Sequence, residues 1–170
     1  IWADGDGTEH YFFPKSGSST VYEDEDGLHL TLTIGSSNCT IKDSSDTVKT
    51  FSSRPSPADN PEEIVSAWYL SSITDKSGNK VIIGADSLND YRPTSVSLKP
   101  VGVSSSIEQL RFVYTTGGKL CAVYNPTSGE GVVFRYSSTF SGTIGTSYGN
   151  YLRYVIRAHG ATSENGWLAF

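Results

Sequence analysis

The chain has 170 residues, 13 Lys+Arg and 18 Asp+Glu, so its formal net charge is −5; this length suits one domain or a few sheet-building repeats with a sizeable core. Mild acidity argues against a nucleic-acid binder, which needs a basic face to displace counterions from phosphates, and no apolar run is long enough to span a bilayer as a helix. With charged residues at 18%, 17 Gly, 10 Tyr and much Ser and Thr, the composition is one of sheets and turns rather than helices.

The chain starts at Ile1, contains no Met and stops in the apolar Trp167-Leu168-Ala169-Phe170, so we expect a processed or excised piece of a longer protein. Asp4-Gly5-Asp6-Gly7 predicts a turn: Gly supplies positive φ and Asp bonds its own backbone. Glu9 to Phe13 predict a short strand that Pro14 stops. Val21 and Tyr22 lead into the acidic turn Glu23-Asp24-Glu25-Asp26-Gly27. From Leu28 to Ile34 the chain alternates strictly, with Leu28, Leu30, Leu32 and Ile34 on one face and His29, Thr31 and Thr33 on the other; this predicts a half-buried antiparallel strand. Ser52 to Asp59, with Pro55 and Pro57, read as a loop. One short helix is expected over 61–66, because Asn60 can cap, Pro61 fits the first helical position, and Glu62 and Glu63 suit the positive end of the dipole. A strand resumes at Ala67-Trp68-Tyr69.

Internal similarity is the most informative feature. One unit is Leu70-x-x-Ile73-x-Asp75-x-x-Gly78-x-x-Val81. A second is Leu120-x-x-Val123-x-Asn125, then Gly129 and Val132, with one extra residue before Gly129. A third begins Leu152-x-x-Val155-x-Arg157-x-x-Gly160. A degenerate copy, Ile41-x-Asp43-x-x-Asp46, is followed by Val48 and Phe51. Each predicts strand, turn, strand: the aliphatics anchor a hairpin face, Asp or Asn opens the turn, and Gly takes the left-handed position that closes it. A single hairpin buries too little surface to be stable, whereas hairpins side by side pair their edges and share one covered face. The expected fold is all-β: an antiparallel, repeat-built, curved sheet of successive hairpins.

Trp68 to Val81, and Arg111 to Leu120 continuing through Phe134-Arg135-Tyr136, resemble units of the Rhs/YD-repeat proteins. Asp6 to Phe13, Tyr22 to Leu28 and Thr40 to Asp43 are similar to the region preceding such repeats in wall-associated proteins of Gram-positive bacteria. The Tyr-Asp pair that names the repeat is missing, since Tyr114 is followed by Thr115 and Tyr136 by Ser137. The resemblance implies a β-hairpin region over 1–56, a loop and short helix over 57–67, and YD-like hairpins over 68–170. It implies a large bacterial protein, extracellular or wall-bound, whose repeats form a β-shell able to enclose or deliver a C-terminal toxin. Neighbouring repeats of the parent chain would be the partners, together with cell-wall glycan or an enclosed toxin domain.

Chemistry finds little purchase. Gly145-Thr146-Ser147-Tyr148-Gly149 matches a nucleophile elbow, but no Asp or Glu lies between Ser147 and His159 and no helical pattern follows; the motif needs both. Asp4, Asp6 and Glu9, and the run Glu23 to Asp26, could offer oxygens to Ca²⁺, yet neither has the full loop pattern and solvated turns are the simpler reading. Cys39 and Cys121 lack Cys-x-x-Cys spacing and a His pair, which argues against zinc; they are either bridged or two small buried thiols. Asn38-Cys39-Thr40 is a glycosylation sequon only in a eukaryotic secreted protein. Most aromatics, Trp68 and Trp167 included, fall at inward strand positions. Tyr91, Tyr148 and Tyr151, near loops, are the candidates for stacking on sugar rings. His10, His29 and His159 share no spacing and read as surface or strand histidines. We therefore expect no catalysis, no cofactor, no metal, no nucleic acid and no membrane insertion. The alternative is a carbohydrate- or wall-binding adhesion module.

Overall fold

The computed structural model describes residues 1–53, 68–88, 91–136, 151–159 and 168–169. Among them every regular element is a strand: β1 (Trp2–Ala3), β2 (Glu9–His10), β3 (Phe12–Pro14), β4 (Val21–Asp24), β5 (Thr31–Ile34), β6 (Asn38–Lys42), β7 (Val48–Ser53), β8 (Trp68–Thr74), β9 (Lys80–Asp86), β10 (Arg92–Lys99), β11 (Ile107–Tyr114), β12 (Leu120–Tyr124), β13 (Gly131–Arg135), β14 (Tyr154–His159) and β15 (Leu168–Ala169). The protein is all-β, built of successive antiparallel hairpins. Two compact units form, Ile1–Val81 with Pro100–Gly102, and Ile82–Lys99 with Val103–Phe170. The helix expected over 61–66 lies outside the described residues. The expected division at 57–67 falls inside the first unit, because β7 before it pairs with β8 after it.

In the first unit β3 to β8 pair in chain order, each antiparallel to the next. Short turns return the chain alongside itself, so a run of them makes a run of antiparallel neighbours. Period-two alternation then sorts the side chains. One row crosses Leu32, Ile41, Lys49 and Ile73, and the next crosses Ile34, Cys39, Phe51 and Leu70. Leu30, Cys39, Ile41 and Phe51 are the buried centre of this face, with Trp2, Phe12, Leu32, Trp68 and Leu70 packed against it. The inward position expected for Trp68 is the one it occupies. The small β1–β2 ribbon supplies Trp2, which covers the face from outside the sheet.

In the second unit β10 to β15 also pair consecutively and antiparallel. Ala122, Val133 and Ala158 are its buried cluster, with Val113 and Ile156 against them. The other face carries Val96, Leu110, Phe112, Val123, Val132, Phe134 and Val155, aligned by the strand registers. These are half-buried or exposed, Val155 at 61%.

Two expectations need correction. The strand expected from Leu28 starts only at Thr31; His29 has φ 57°, and Leu28 is exposed. The cause is Asp24, whose carboxylate accepts the amides of Leu28 and Leu30, both at 2.6 Å. A side chain that takes backbone donors in this way holds the segment in a wide loop rather than a ladder. The third repeat also departs from its pattern. Arg157, expected at a turn, lies inside β14 opposite Val132, and Leu152 precedes that strand. Gly160 lies outside the described residues.

Candidate functional site

The recurring feature is the turn. Asp4, Asp43 and Asp75 each open a five-residue loop with one set of bonds. The first residue's amide donates to the carbonyl of the fifth (Asp4 to Thr8, Asp43 to Thr47, Asp75 to Asn79, each 3.0 Å), and the fourth residue's amide returns to the carbonyl of the first. The Asp Oδ1 accepts the amides of the third and fifth residues, at 2.8–3.1 Å. Thr115 opens a similar loop, its Oγ1 accepting Lys119 N at 3.0 Å. The fourth residue is left-handed in all of them: Gly7, Asp46, Gly78 and Gly118, with φ between 66° and 91°. That region strains most L-residues, but Gly enters it freely and Asp tolerates it. Asn125 opens the same arrangement one residue longer, bonding Glu130 and placing Gly129 at φ 70°. Asp75 and Gly78, and Asn125 and Gly129, thus stand at the opening and closing positions of hairpin turns.

The aliphatic part of the repeat has a structural meaning of its own. Residues three apart on a regular strand face opposite ways. Leu70 and Ile73 nevertheless share a face, because the register slips between them: Phe51 pairs Leu70, Thr50 pairs Ser72, and Ser71 is left over. Leu120 and Val123 share a face by the same slip, with Cys121 left over. In each bulge the extra residue donates to the carbonyl across the strand gap, Ser71 Oγ to Thr50 O at 3.0 Å and Cys121 Sγ to Val113 O at 3.3 Å. Leu70-x-x-Ile73 and Leu120-x-x-Val123 are therefore one local conformation, a bulge followed by a capped turn. Val155, on β14 opposite Phe134, belongs to no such motif.

Of the candidate sugar-stacking residues, Tyr91 precedes β10 and is half-buried, Tyr151 precedes β14 and is 78% exposed, and Tyr148 lies outside the described residues. Four strand gaps separate β10 from β14, about 19 Å at ordinary strand spacing. Tyr91 and Tyr151 do not converge on one ring. Trp2 is engaged within the protein, with the His10 ring stacked on it at 4.8 Å and Lys49 Nζ 4.3 Å from its centroid.

The acidic candidates are engaged within the protein. Asp4 and Asp6 accept backbone amides, Glu9 accepts the Tyr11 hydroxyl at 2.9 Å, Asp24 accepts Leu28 and Leu30, and Glu23 pairs with Lys15 at 2.9 Å. Among the described residues no group of three His, Cys, Asp or Glu is placed to hold a metal ion. Both cysteines are buried thiols. Burial pushes the Cys39 thiol above its ordinary value, away from the reactive thiolate. Ser147 lies outside the described residues.

One cluster escaped sequence reasoning. His10 is buried, and its two ring nitrogens reach two carboxylates, Nε2 to Asp4 Oδ2 at 3.2 Å and Nδ1 to Asp26 Oδ2 at 3.3 Å. With both nitrogens taken it has none with which to activate a hydroxyl or thiol. Its pairing with Asp4, then with Asp26, raises its pKa against the opposing effect of burial. Asp4 is held well below the usual carboxylate range by bonds from Asp6 and His10. Asp26 is 16 residues from His10, so no local spacing could have announced the contact.

No protein-family model, curated protein or solved structure matches this chain.

Proposed function

We propose that this chain is a non-catalytic structural segment of a large bacterial cell-surface or secreted protein of the Rhs/YD-repeat type, part of a β-shell that encloses or delivers a C-terminal toxin. The observation that carries the reading is the succession of antiparallel hairpins in which the turns opened by Asp4, Asp43, Asp75 and Thr115 share one bonding scheme and that at Asn125 is one residue longer, with the same bulge preceding Asp75 and Asn125. Such a chain gains stability by adding hairpins to hairpins, which is the physical basis of an extended wall. The partly exposed apolar face of the second unit, with Ile107 at 53% and Leu98 at 43%, supports it further, because apolar surface of this kind is kept for a partner. Electron microscopy of the full-length parent protein tests the reading: a β-walled enclosure is the expected result, and an isolated closed module refutes it.

A second reading, a glycan-binding adhesion module, is favoured by the exposure of Tyr151. It requires binding on a wall-glycan array that is lost on Tyr151→Ala.

A further inference from the structure

The β1–β2 ribbon is held to the first unit through a buried imidazole. Asp4 belongs to the turn between β1 and β2, and Asp26 belongs to the loop that follows β4. His10 stands between them, 5% exposed, with Trp2 stacked on its ring. An ionised carboxylate only accepts hydrogen bonds, and a neutral imidazole has a single N–H. Both contacts are satisfied together only when the ring carries two protons. After loss of one proton, a ring lone pair is set against a carboxylate oxygen on one side or the other.

We propose that His10 is a pH-sensitive fastener: protonated, it pins the β1–β2 ribbon onto the loop around Asp26 and keeps Trp2 over the apolar face; deprotonated, it releases one end.

The groups around it agree on the sign. Asp4 faces it from the β1–β2 turn, with Asp6 bonded to Asp4, and Asp26 faces it from the loop after β4. From β7, Lys49 brings its Nζ to 4.3 Å from the Trp2 ring centroid. The two carboxylates contact the ring directly, whereas the ammonium contacts the indole and not the imidazole, so the charged imidazole is favoured. A histidine stabilised in this way holds fully below its ordinary value of 6.5 and lets go as pH rises through its raised midpoint. Asp4 is depressed below the usual range and stays ionised throughout that window. The fastener is closed in mildly acidic medium and opens on the alkaline side. The ribbon is a suitable element to open, because it pairs through only Trp2 with His10 and Ala3 with Glu9 and so belongs to the low-stability end of the fold.

The test is an NMR titration of the histidine rings, with hydrogen exchange of the Trp2–His10 amides followed over the same pH range and corrected for intrinsic rates. His10 is expected to titrate above the ordinary histidine value. The opening equilibrium of the ribbon should rise about tenfold for each unit by which its midpoint is raised. Asp26→Asn should move the midpoint back toward the ordinary value, since an amide also serves the neutral ring. His10→Gln should abolish the pH step. A His10 midpoint at or below the ordinary value, or ribbon exchange that stays flat through the midpoint in the unmodified protein, overturns the proposal whether or not either variant folds.

Discussion

Replacing Gly131 with Ala puts the packing of the second unit to the test. Gly131 opens β13 and pairs with Tyr124 of β12, which is 1% exposed. A β-carbon at Gly131 would lie 2.5 Å from Val123 O, 2.6 Å from Tyr124 Cβ and 2.8 Å from Tyr124 Cα. All three contacts are too close, and none involves the far end of a flexible side chain. The backbone of β12 has to move by about half an ångström, in a strand where Cys121, Ala122 and Tyr124 are all buried. Ala158, next along this row on β14, is itself small and buried, so the row has no slack to give. Overpacking of this kind costs about 1–3 kcal/mol, and for a unit of this size that lowers the thermal midpoint by roughly 5–20 °C. Thermal unfolding followed by near-ultraviolet circular dichroism reads the shift. Gly117→Ala is the control: its β-carbon would meet only Thr115 Oγ1, at 3.8 Å, and a substitution without a clash should move the midpoint by no more than about 2 °C. If Gly131→Ala unfolds within that same margin, the argument from the Tyr124 row is wrong.

Ile41→Ala removes the most buried aliphatic side chain of the first unit's core, at 3% exposure, and should cost about 2–5 kcal/mol in urea unfolding; Ile34→Ala, at the exposed end of β5, should cost less than about 1 kcal/mol. Asp24→Ala deprives the amides of Leu28 and Leu30 of their charged acceptor, a loss of about 2 kcal/mol that should appear as faster hydrogen exchange at those two amides while Ser45 and Thr47 are unchanged. On the acid side, Ser45 holds Asp43 and Asn79 holds Asp75 below the ordinary carboxylate value of 3.8. Their contribution is present above that value and is lost as pH falls through the depressed midpoints, so the double variant Asp43→Asn, Asp75→Asn should flatten the fall in thermal midpoint expected of the parent protein as pH drops below 3.8.

What the sequence disclosed, and what it hid, divides by the range of the interaction. Asp4, Asp43, Asp75 and Asn125 were legible as turn openers because an Asx side chain bonds amides two to four residues ahead, within its own segment. The alternation from Leu28 misled because Asp24 competes for the same amides, and a hydrophobic pattern does not register a competing acceptor. Leu70-x-x-Ile73 was visible as a pattern but not as a bulge; strand periodicity alone sends those two side chains to opposite faces. His10 was hidden because Asp26 reaches it only after β3 and β4 have paired. Gly131 was hidden because its reason is the close approach of Val123 and Tyr124 on the neighbouring strand. The copy at Leu152 matches in residue types alone; Arg157 in place of Asp or Asn offers no acceptor for the following amides, and the chain there runs on as strand through His159.

The irregular spacing of the repeats follows from which part of the hairpin is fixed. Strands vary from two residues in β1 and β2 to eight in β10 and β11, whereas the capped turn opened by Asp4, Asp43 or Asp75 keeps five residues and one bonding scheme. Register in an antiparallel pair is set at the turn, and a one-residue slip would send every side chain to the wrong face. A turn of fixed length therefore protects the inside–outside sorting while leaving strand length free. Bulges at Ser71 and Cys121 supply the one adjustment the turn cannot make, restoring two aliphatics to a common face just before the chain reverses. Selection for such a fold acts on an acceptor at the opening of the turn and a left-handed residue at its close, and only loosely on the distance to the next turn. A chain built under that rule repeats in conformation while its sequence period drifts.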